Sequence, residues 1–169
     1  MENFKEYLVA KEPDAKDTAA KILIWLVIVV FIAFPILNPS FFPILALAAV
    51  AVLGAVHLTR GLRKEFEYIV TMRDIDIDII SGQRSRKRLA SFNMDQMEIC
   101  ASVNDGEYAS RINGSFTQTI HAEASKNNPN NYFAIFTKDG ERTLLFFTPP
   151  EHMLNTIFQF VKSKIHIKK

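Results

Sequence analysis

The sequence predicts a membrane α-helical hairpin followed by an α+β domain that consists mainly of antiparallel β-sheet. Residues 22–59 contain no Asp, Glu, Lys or Arg, and uncharged blocks of this length are rare in water-soluble domains. After Gly61, apolar and polar residues alternate, which is the pattern of half-buried strands. We therefore expect a cytoplasmic leader over 1–20, a two-helix transmembrane hairpin over 21–59 and a cytoplasmic domain over 62–169.

Two apolar runs make up the uncharged block. They cover 22–37 and 41–58 and are separated by the turn-favouring residues 38–40. A helix needs about 20 apolar residues to cross the hydrocarbon core of a bilayer, so spans are expected at about 21–38 and 41–58. Because the connecting turn is so short, the two helices must run antiparallel.

Three other interpretations of the uncharged block exist. A cleaved signal peptide does not fit, because the preceding leader is long and mixed in charge and a second apolar run follows at once. Two alternatives stay open. The hairpin could be buried inside a soluble domain, or it could be re-entrant and cross only part of the bilayer, as the short first run and its Pro35 suggest.

Basic residues flank the block on both sides, whereas the connecting turn carries no charge. Lys11 and Lys16 are further basic residues before the first apolar run. By the positive-inside rule we expect a multi-pass protein of the cell membrane with both termini in the cytoplasm. The residues expected to anchor the hairpin at the interface are Trp25, Lys21, Arg60, Arg63 and Lys64.

The leader has a weak pattern. Phe4, Tyr7, Leu8 and Lys11 share one helical face, so an amphipathic helix at the membrane surface is conceivable. We expect instead a partly ordered leader that is broken at Pro13.

Seven segments rich in β-branched and aromatic residues predict strands joined by short turns or loops. Ile and Asp alternate without interruption from Asp74 to Ile79. Asp139-Gly140 is a strong hairpin signal, because both central residues of such a turn need positive φ. The expected strands cover 66–71, 74–79, 84–91, 94–103, 115–122, 132–137 and 142–147.

An amphipathic helix is expected at the end of the domain, over about 149–165. Met153, Leu154 and Ile157 recur at helical spacing and give an apolar stripe. Thr148 is expected as the N-cap of this helix, with Glu151 completing a capping box.

Several segments carry a resemblance to bacterial pleckstrin-homology-like (PH-like) domains that are tethered to membrane hairpins. The whole chain is similar to a family of small two-span bacterial membrane proteins. The resemblance implies a bent seven-stranded barrel capped by a C-terminal helix over about 62–164, and it implies no activity. The segments that carry it are Tyr68-Ile69-Val70-Thr71, Ile75-Asp76-Ile77, Arg86-Lys87-Arg88, Phe92-Asn93-Met94, Met97-Glu98-Ile99, Tyr132-Phe133-Ala134-Ile135-Phe136 and Leu144-Leu145-Phe146-Phe147-Thr148-Pro149.

Three closely spaced aspartates do not form a calcium loop. Counted from Asp74, such a loop needs Gly at position six and Glu at position twelve, but these are Ile79 and Ser85. We expect Asp74, Asp76 and Asp78 to lie on a solvent-facing strand surface and to pair with arginines of the next strand.

Those arginines belong to the candidate lipid-binding cluster, which consists of Arg84, Arg86, Lys87 and Arg88. Near an anionic leaflet each basic residue adds about 1 kcal/mol of attraction, so contact with anionic head groups is one hypothesis. The alternative is a strand surface that the aspartates neutralise. The net charge of the chain is only +2, which is too small to indicate a nucleic-acid partner.

No pattern indicates catalysis. The four histidines lack metal-ligand spacing, Cys100 lies in no activating motif, and nucleotide-binding glycine motifs are absent from the sequence. We therefore expect no catalytic residue, no metal and no cofactor. His57 is the one ionisable residue in the spans, which disfavours a transport pathway.

The sequence predicts an integral membrane protein that is not an enzyme and that presents a binding or scaffold module at the cytoplasmic membrane surface to a protein partner. An anionic-lipid sensor and an accessory subunit of a membrane enzyme or transporter are the alternatives. Small residues over 46–51 and at Gly54-Ala55 fit close helix packing within the hairpin or between protomers of a homo-oligomer.

Overall fold

The computed structural model describes residues 4–41 and 43–167, with the side chains of residues 4, 39, 44 and 46 outside this description. Residues 1–3 of the predicted leader, Phe42 of the second predicted span and residues 168–169 of the predicted domain also lie outside it. The described chain forms two compact units. The first contains residues 4–11, 65–80 and 86–167, and the second contains 12–64 and 81–85.

The second unit is built from two apolar helices that pack against each other. Helix α1 spans Ala15–Leu37 and α2 spans Ile44–Gly61, with a 3-10 turn at Pro39–Phe41 between them. By length and composition α1 is the one helix of the described chain that is able to cross a membrane, and α2 contributes a shorter apolar stretch, Leu47–Gly61.

The apolar side chains of these helices are mostly exposed. Only 11% of the most apolar 18-residue stretch of α1 is buried. The buried positions include Ile28 of α1 and Ala48 and Ala55 of α2. The small side chains of the two alanines allow the helices to approach closely. The exposed residues include Leu23, Val29, Leu37, Leu47, Val50 and Leu53.

The first unit contains two sheets, and the four-stranded sheet has the order β1-β2-β3-β4. Its strands are β1 (Phe4–Ala10), β2 (Lys64–Thr71), β3 (Asp74–Ser81) and β4 (Ser85–Asn93). The predictions for 66–71, 74–79 and 84–91 are thereby confirmed to within a few residues.

Strand β1 overturns the prediction of a partly ordered leader or an amphipathic helix. It pairs antiparallel with β2, with Tyr7 opposite Tyr68. Its inner face reaches the C-terminal helix, because Lys5 Nζ donates to Thr156 Oγ1 at 3.0 Å and the Tyr7 ring lies 5.1 Å from that of His152. The pairing partner is distant along the chain, so local periodicity could not indicate it.

The five-stranded sheet has the order β6-β8-β7-β5-β9. Asp139 and Gly140 have φ of 53° and 83°, which confirms the predicted β7–β8 hairpin. The parallel pairs β6·β8 and β5·β9 were not predicted, and the described residues form nine strands where seven were expected. The strands are β5 (Met97–Ser102), β6 (Gln118–Ala122), β7 (Tyr132–Lys138), β8 (Glu141–Phe147) and β9 (Ile165–His166).

Helix α3 spans Glu151–Phe160, so the prediction of 149–165 was too long at both ends. Its N-cap is Pro150, and the predicted Thr148 cap was wrong. Thr148 Oγ1 instead donates to Asn131 Oδ1 at 2.7 Å and accepts from the Ala124 N–H at 2.9 Å. Because its hydroxyl already has these two partners, Thr148 does not cap α3.

The core lies between the two sheets and α3. Phe66, Tyr68 and Val70 of β2 meet Met153 and Ile157 of α3 in one buried cluster. A second, smaller cluster forms on the other face of the five-stranded sheet, where it is covered by residues from the long segment before β6. Its members include Ile99, Phe133, Ile135, Leu144, Tyr108, Ile112 and Phe116.

Candidate functional site

Charged side chains from four neighbouring strands meet on one face of the β1–β4 sheet. Arg88 bonds Asp78 through Nε and contacts Asp76 Oδ1 through Nη1 at 2.7 Å. Arg86 bonds Glu67 and lies 3.7 Å from Glu6 Oε1. The predicted pairing with the β4 arginines is confirmed for Asp76 and Asp78.

The carboxylates of this face differ in exposure. Asp74 is exposed and accepts from Asn93 Nδ2 at 2.8 Å, whereas Asp78 is 1% exposed. The expectation of a solvent-facing surface was therefore wrong for Asp78, because the Arg88 guanidinium covers it. A buried carboxylate of this kind is stable only while its cation stays in place.

Glu67 is the most perturbed acid on this face. The pKa of Glu67 is raised from 4.5 to about 7, mainly by burial and then by the nearby Glu6 carboxyl, while the Arg86 guanidinium acts in the opposite direction. The Glu67 carboxyl is therefore partly protonated near neutral pH.

Two of the four residues of the predicted lipid-binding cluster pair with carboxylates. Arg86 bonds Glu67, and Arg88 bonds Asp76 and Asp78. Lys87 is exposed, and Arg84 belongs to the β3–β4 turn and contacts His57. The facing charges are the carboxyls of Glu6, Glu67, Asp76 and Asp78 and the guanidiniums of Arg86 and Arg88.

A separate basic cleft lies where the C-terminal end of α2 meets the β3–β4 turn. Its volume is about 520 Å³. Arg60, Arg63 and Arg84 line it together with His57, and the described lining residues include no Asp or Glu. Arg84 Nη1 lies 3.3 Å from His57 Nε2. We refer to these four side chains and the turn at 81–84 as the basic cleft.

Backbone contacts fix the shape of the basic cleft. Gly82 and Gln83 both have φ of 59°, and the Gly82 N–H donates to Arg63 O at 2.8 Å. A Cβ on Gly82 would lie 3.0 Å from the Gly61 Cα, so the turn rests directly on the helix end. Only glycine combines this φ with such a close approach.

The predicted interfacial anchors occupy different positions. Trp25 is 45% exposed on α1, and Lys21 lies one turn before it. Lys64 Nζ is 4.0 Å from Asp17 Oδ2. The side chains of Arg60 and Arg63 have no hydrogen bond or ion pair within the part of the chain that the structure describes, and the structure brings both into the basic cleft.

Comparison with known proteins identifies the chain at the level of its family. The sequence matches the bacterial PH-like domain family (DUF6106) over residues 1–167. The chain belongs to this family. The matched range includes α1 and α2 as well as both sheets. No curated protein and no solved structure gives a significant match.

Elsewhere in the PH-like chain, the other candidate reactive groups have structural surroundings. Cys100 is buried, and burial raises the pKa of its thiol to about 12. His121 Nδ1 lies 2.9 Å from Glu123 Oε1, and the His166 ring stacks on Tyr108. Among the described residues no group of three or more metal-binding side chains comes together.

Sequence reasoning missed the basic cleft because its arginines lie in two segments. Arg60 and Arg63 follow the second apolar run, and Arg84 lies more than twenty residues later. The available signal was the glycine at position 82 beside a basic run, since a glycine in a short turn often permits a close backbone approach.

Proposed function

We propose that this PH-like protein is a membrane-anchored binding module without catalytic activity. In this proposal α1 and α2 cross the membrane as an antiparallel pair, both chain ends are cytoplasmic, and the sheets with α3 present a surface to a protein partner.

The β1–β2 ladder is the observation that carries the proposal. Strand β1 ends at Ala10, shortly before α1, and β2 begins at Lys64, shortly after α2. Ala10 and Glu65 are partners in the ladder. Strands of one sheet occupy one compartment, so the segment between them must return to the side on which it started. An antiparallel pair of spans meets this requirement.

The exposed apolar surface of α1 and α2 supports insertion into lipid. A core helix of a soluble protein would bury residues such as Leu23, Val29 and Leu53, which here are between 62% and 72% exposed. Covering such side chains with hydrocarbon contributes about 1.5–3 kcal/mol for each large one. The flanking basic residues, Lys11 and Lys16 before α1 and Arg60 and Arg63 after α2, support a cytoplasmic location of both ends.

A protein partner is supported by the edge of the four-stranded sheet. Strand β1 is an outer strand of this sheet, and Leu8 on it is 62% exposed. Outer strands present backbone donors and acceptors to which an extended peptide can add.

Cysteine labelling tests the two crossings. In a Cys100→Ser background, single cysteines replace Glu12, Ser40 or Asn104, and a membrane-impermeant maleimide is applied to spheroplasts and to inverted vesicles. We expect Ser40→Cys to react in spheroplasts and the other two to react only in inverted vesicles. If Ser40→Cys reacts only from the cytoplasmic side, the hairpin is re-entrant and the proposal of two spans fails.

Photo-crosslinking in cells tests the partner. A photoreactive residue replaces Leu8, and a matched control replaces the exposed Asn127 in a loop of the same domain. We expect one discrete protein adduct from position 8 and none from position 127. The absence of any adduct at position 8 would remove β1 as the docking edge.

A further inference from the structure

We propose that the basic cleft binds a phosphate group. In this proposal guanidinium groups hold the phosphate oxygens. The phosphate belongs either to a phospholipid head group or to a soluble phosphate compound. The lipid source depends on the membrane attachment proposed above, whereas the soluble source does not.

Charge is the first argument for the basic cleft. Its three arginines meet without any carboxylate among the described lining residues. The C-terminal end of α2 carries about half a negative charge from its dipole, which the three guanidiniums outweigh. This contrasts with the β3–β4 strand face, where carboxylates occupy Arg86 and Arg88. Three like charges at one place without an internal counter-ion favour an external anion.

The geometry is the second argument. The guanidiniums of Arg60 and Arg63 make no hydrogen bond or ion pair within the described chain, so their donors are free for a ligand. The contact of Arg84 with His57 holds the third guanidinium at the wall. Arg presents two parallel donors to a phosphate, and this fork geometry makes it the preferred residue for phosphate. A volume of about 520 Å³ accommodates a phosphate with part of a head group.

The position is the third argument. Arg60 lies two residues beyond Leu58, the last apolar residue of the charge-free block. If α2 crosses the membrane, its C-terminal turn lies at the level of the lipid phosphates. Gly82 closes the other side of the basic cleft without a side chain that would fill it.

The test uses the full-length protein purified in a neutral detergent. Native mass spectrometry measures binding of phosphatidylglycerol and of phosphatidylcholine, and calorimetry measures binding of inorganic phosphate. The test variant is Arg60→Gln/Arg63→Gln. Its matched control is Lys126→Gln/Arg111→Gln, which removes two positive charges from exposed residues outside both the basic cleft and the predicted lipid-binding cluster. Carbonate extraction of membranes and the labelling described above verify that each variant inserts as the parent does.

We expect phosphatidylglycerol to bind more tightly than phosphatidylcholine and the test variant to bind it about thirtyfold more weakly, which is about fivefold for each lost charge. The control should change binding by less than about twofold. Tight binding of inorganic phosphate that is lost in the test variant alone would assign the basic cleft to a soluble phosphate.

Two results would overturn the inference: equal loss in both double variants, or no binding of any of the three probes by the parent protein. If carbonate releases the parent protein from membranes while the test variant alone loses phosphate binding, the membrane proposal fails and the basic cleft stands.

Discussion

Tyr68 and Ala122 are 54 residues apart in the chain, and the Tyr68 hydroxyl donates to the Ala122 carbonyl at 2.6 Å. The same hydroxyl accepts from the Thr148 N–H at 3.1 Å. A single buried phenol thus joins β2 of one sheet to the ends of β6 and β8 in the other. Burial raises the pKa of Tyr68 well above its usual value, so the hydroxyl keeps its proton throughout the physiological range.

Tyr68→Phe should lower the free energy of unfolding by about 1–3 kcal/mol, because a buried carbonyl and a buried N–H both lose a partner. Chemical unfolding of the full-length protein in detergent measures the change. Tyr108→Phe is the control, since Tyr108 is only half-buried and should change stability by less than about 0.5 kcal/mol. Equal effects of the two substitutions would argue against a special role for the Tyr68 hydroxyl.

Glu67→Gln should alter the pH dependence of stability. The pKa of Glu67 rises from 4.5 to about 7 on folding, so the folded state binds the proton more tightly and wild-type stability falls as the pH rises between these values. The contribution is up to about 3 kcal/mol. Melting temperatures recorded from pH 4 to pH 8 should show wild type losing stability relative to Glu67→Gln over this window. Glu65→Gln, which removes a charge from the same strand, should run parallel to wild type.

Arg88→Gln should destabilise the fold by about 2–3 kcal/mol, because it leaves the Asp78 carboxylate buried without its main cation. The effect is at the low end for a buried pair, since the Arg88 side chain is 46% exposed. Lys87→Gln removes the same charge from the adjacent exposed position and should be nearly neutral. Urea unfolding compares the two variants, and a neutral Arg88→Gln would show that Asp78 is neutralised by other means.

Gly82→Ala should strain the β3–β4 turn, by about 1–2 kcal/mol, because φ is 59° and the new methyl group would lie 3.0 Å from the Gly61 Cα. Gly61→Ala is the matched control, since a Cβ there meets nothing within 4 Å. Thermal unfolding should separate the two variants. Equal stability would mean that the turn is free to move away from the end of α2.

Local chemistry predicted the elements whose signals lie within a few residues. The Asp139-Gly140 turn and the Ile-Asp alternation of β3 gave the correct strands and the ion pairs with β4. Features that depend on distant partners were not predictable in this way. β1 is a strand because β2 pairs with it, and Thr148 leaves the helix cap because Asn131 and the Ala124 N–H bind its hydroxyl.

The candidate site likewise combines features that the local sequence predicts with features that depend on distant partners. The sequence pointed to basic residues that flank the apolar block, and it assigned Arg84 and Arg86 to one cluster because they are close in the chain. In the folded protein, carboxylates from β2 and β3 hold Arg86, whereas Arg84 joins Arg60 and Arg63. Tertiary contacts determine whether each guanidinium pairs with a carboxylate of the protein.

The position of β1 in the four-stranded sheet also constrains the order of events during synthesis. The ribosome produces β1 before both apolar helices and β2 after them, so β1 must wait without its partner while the helical segment emerges. In the proposed two-span arrangement, the sheet is completed only when both ends of that segment reach the same side of the membrane. In that arrangement, a chain in which only one of the two helices is inserted would leave β2 without its neighbour and expose an open sheet edge.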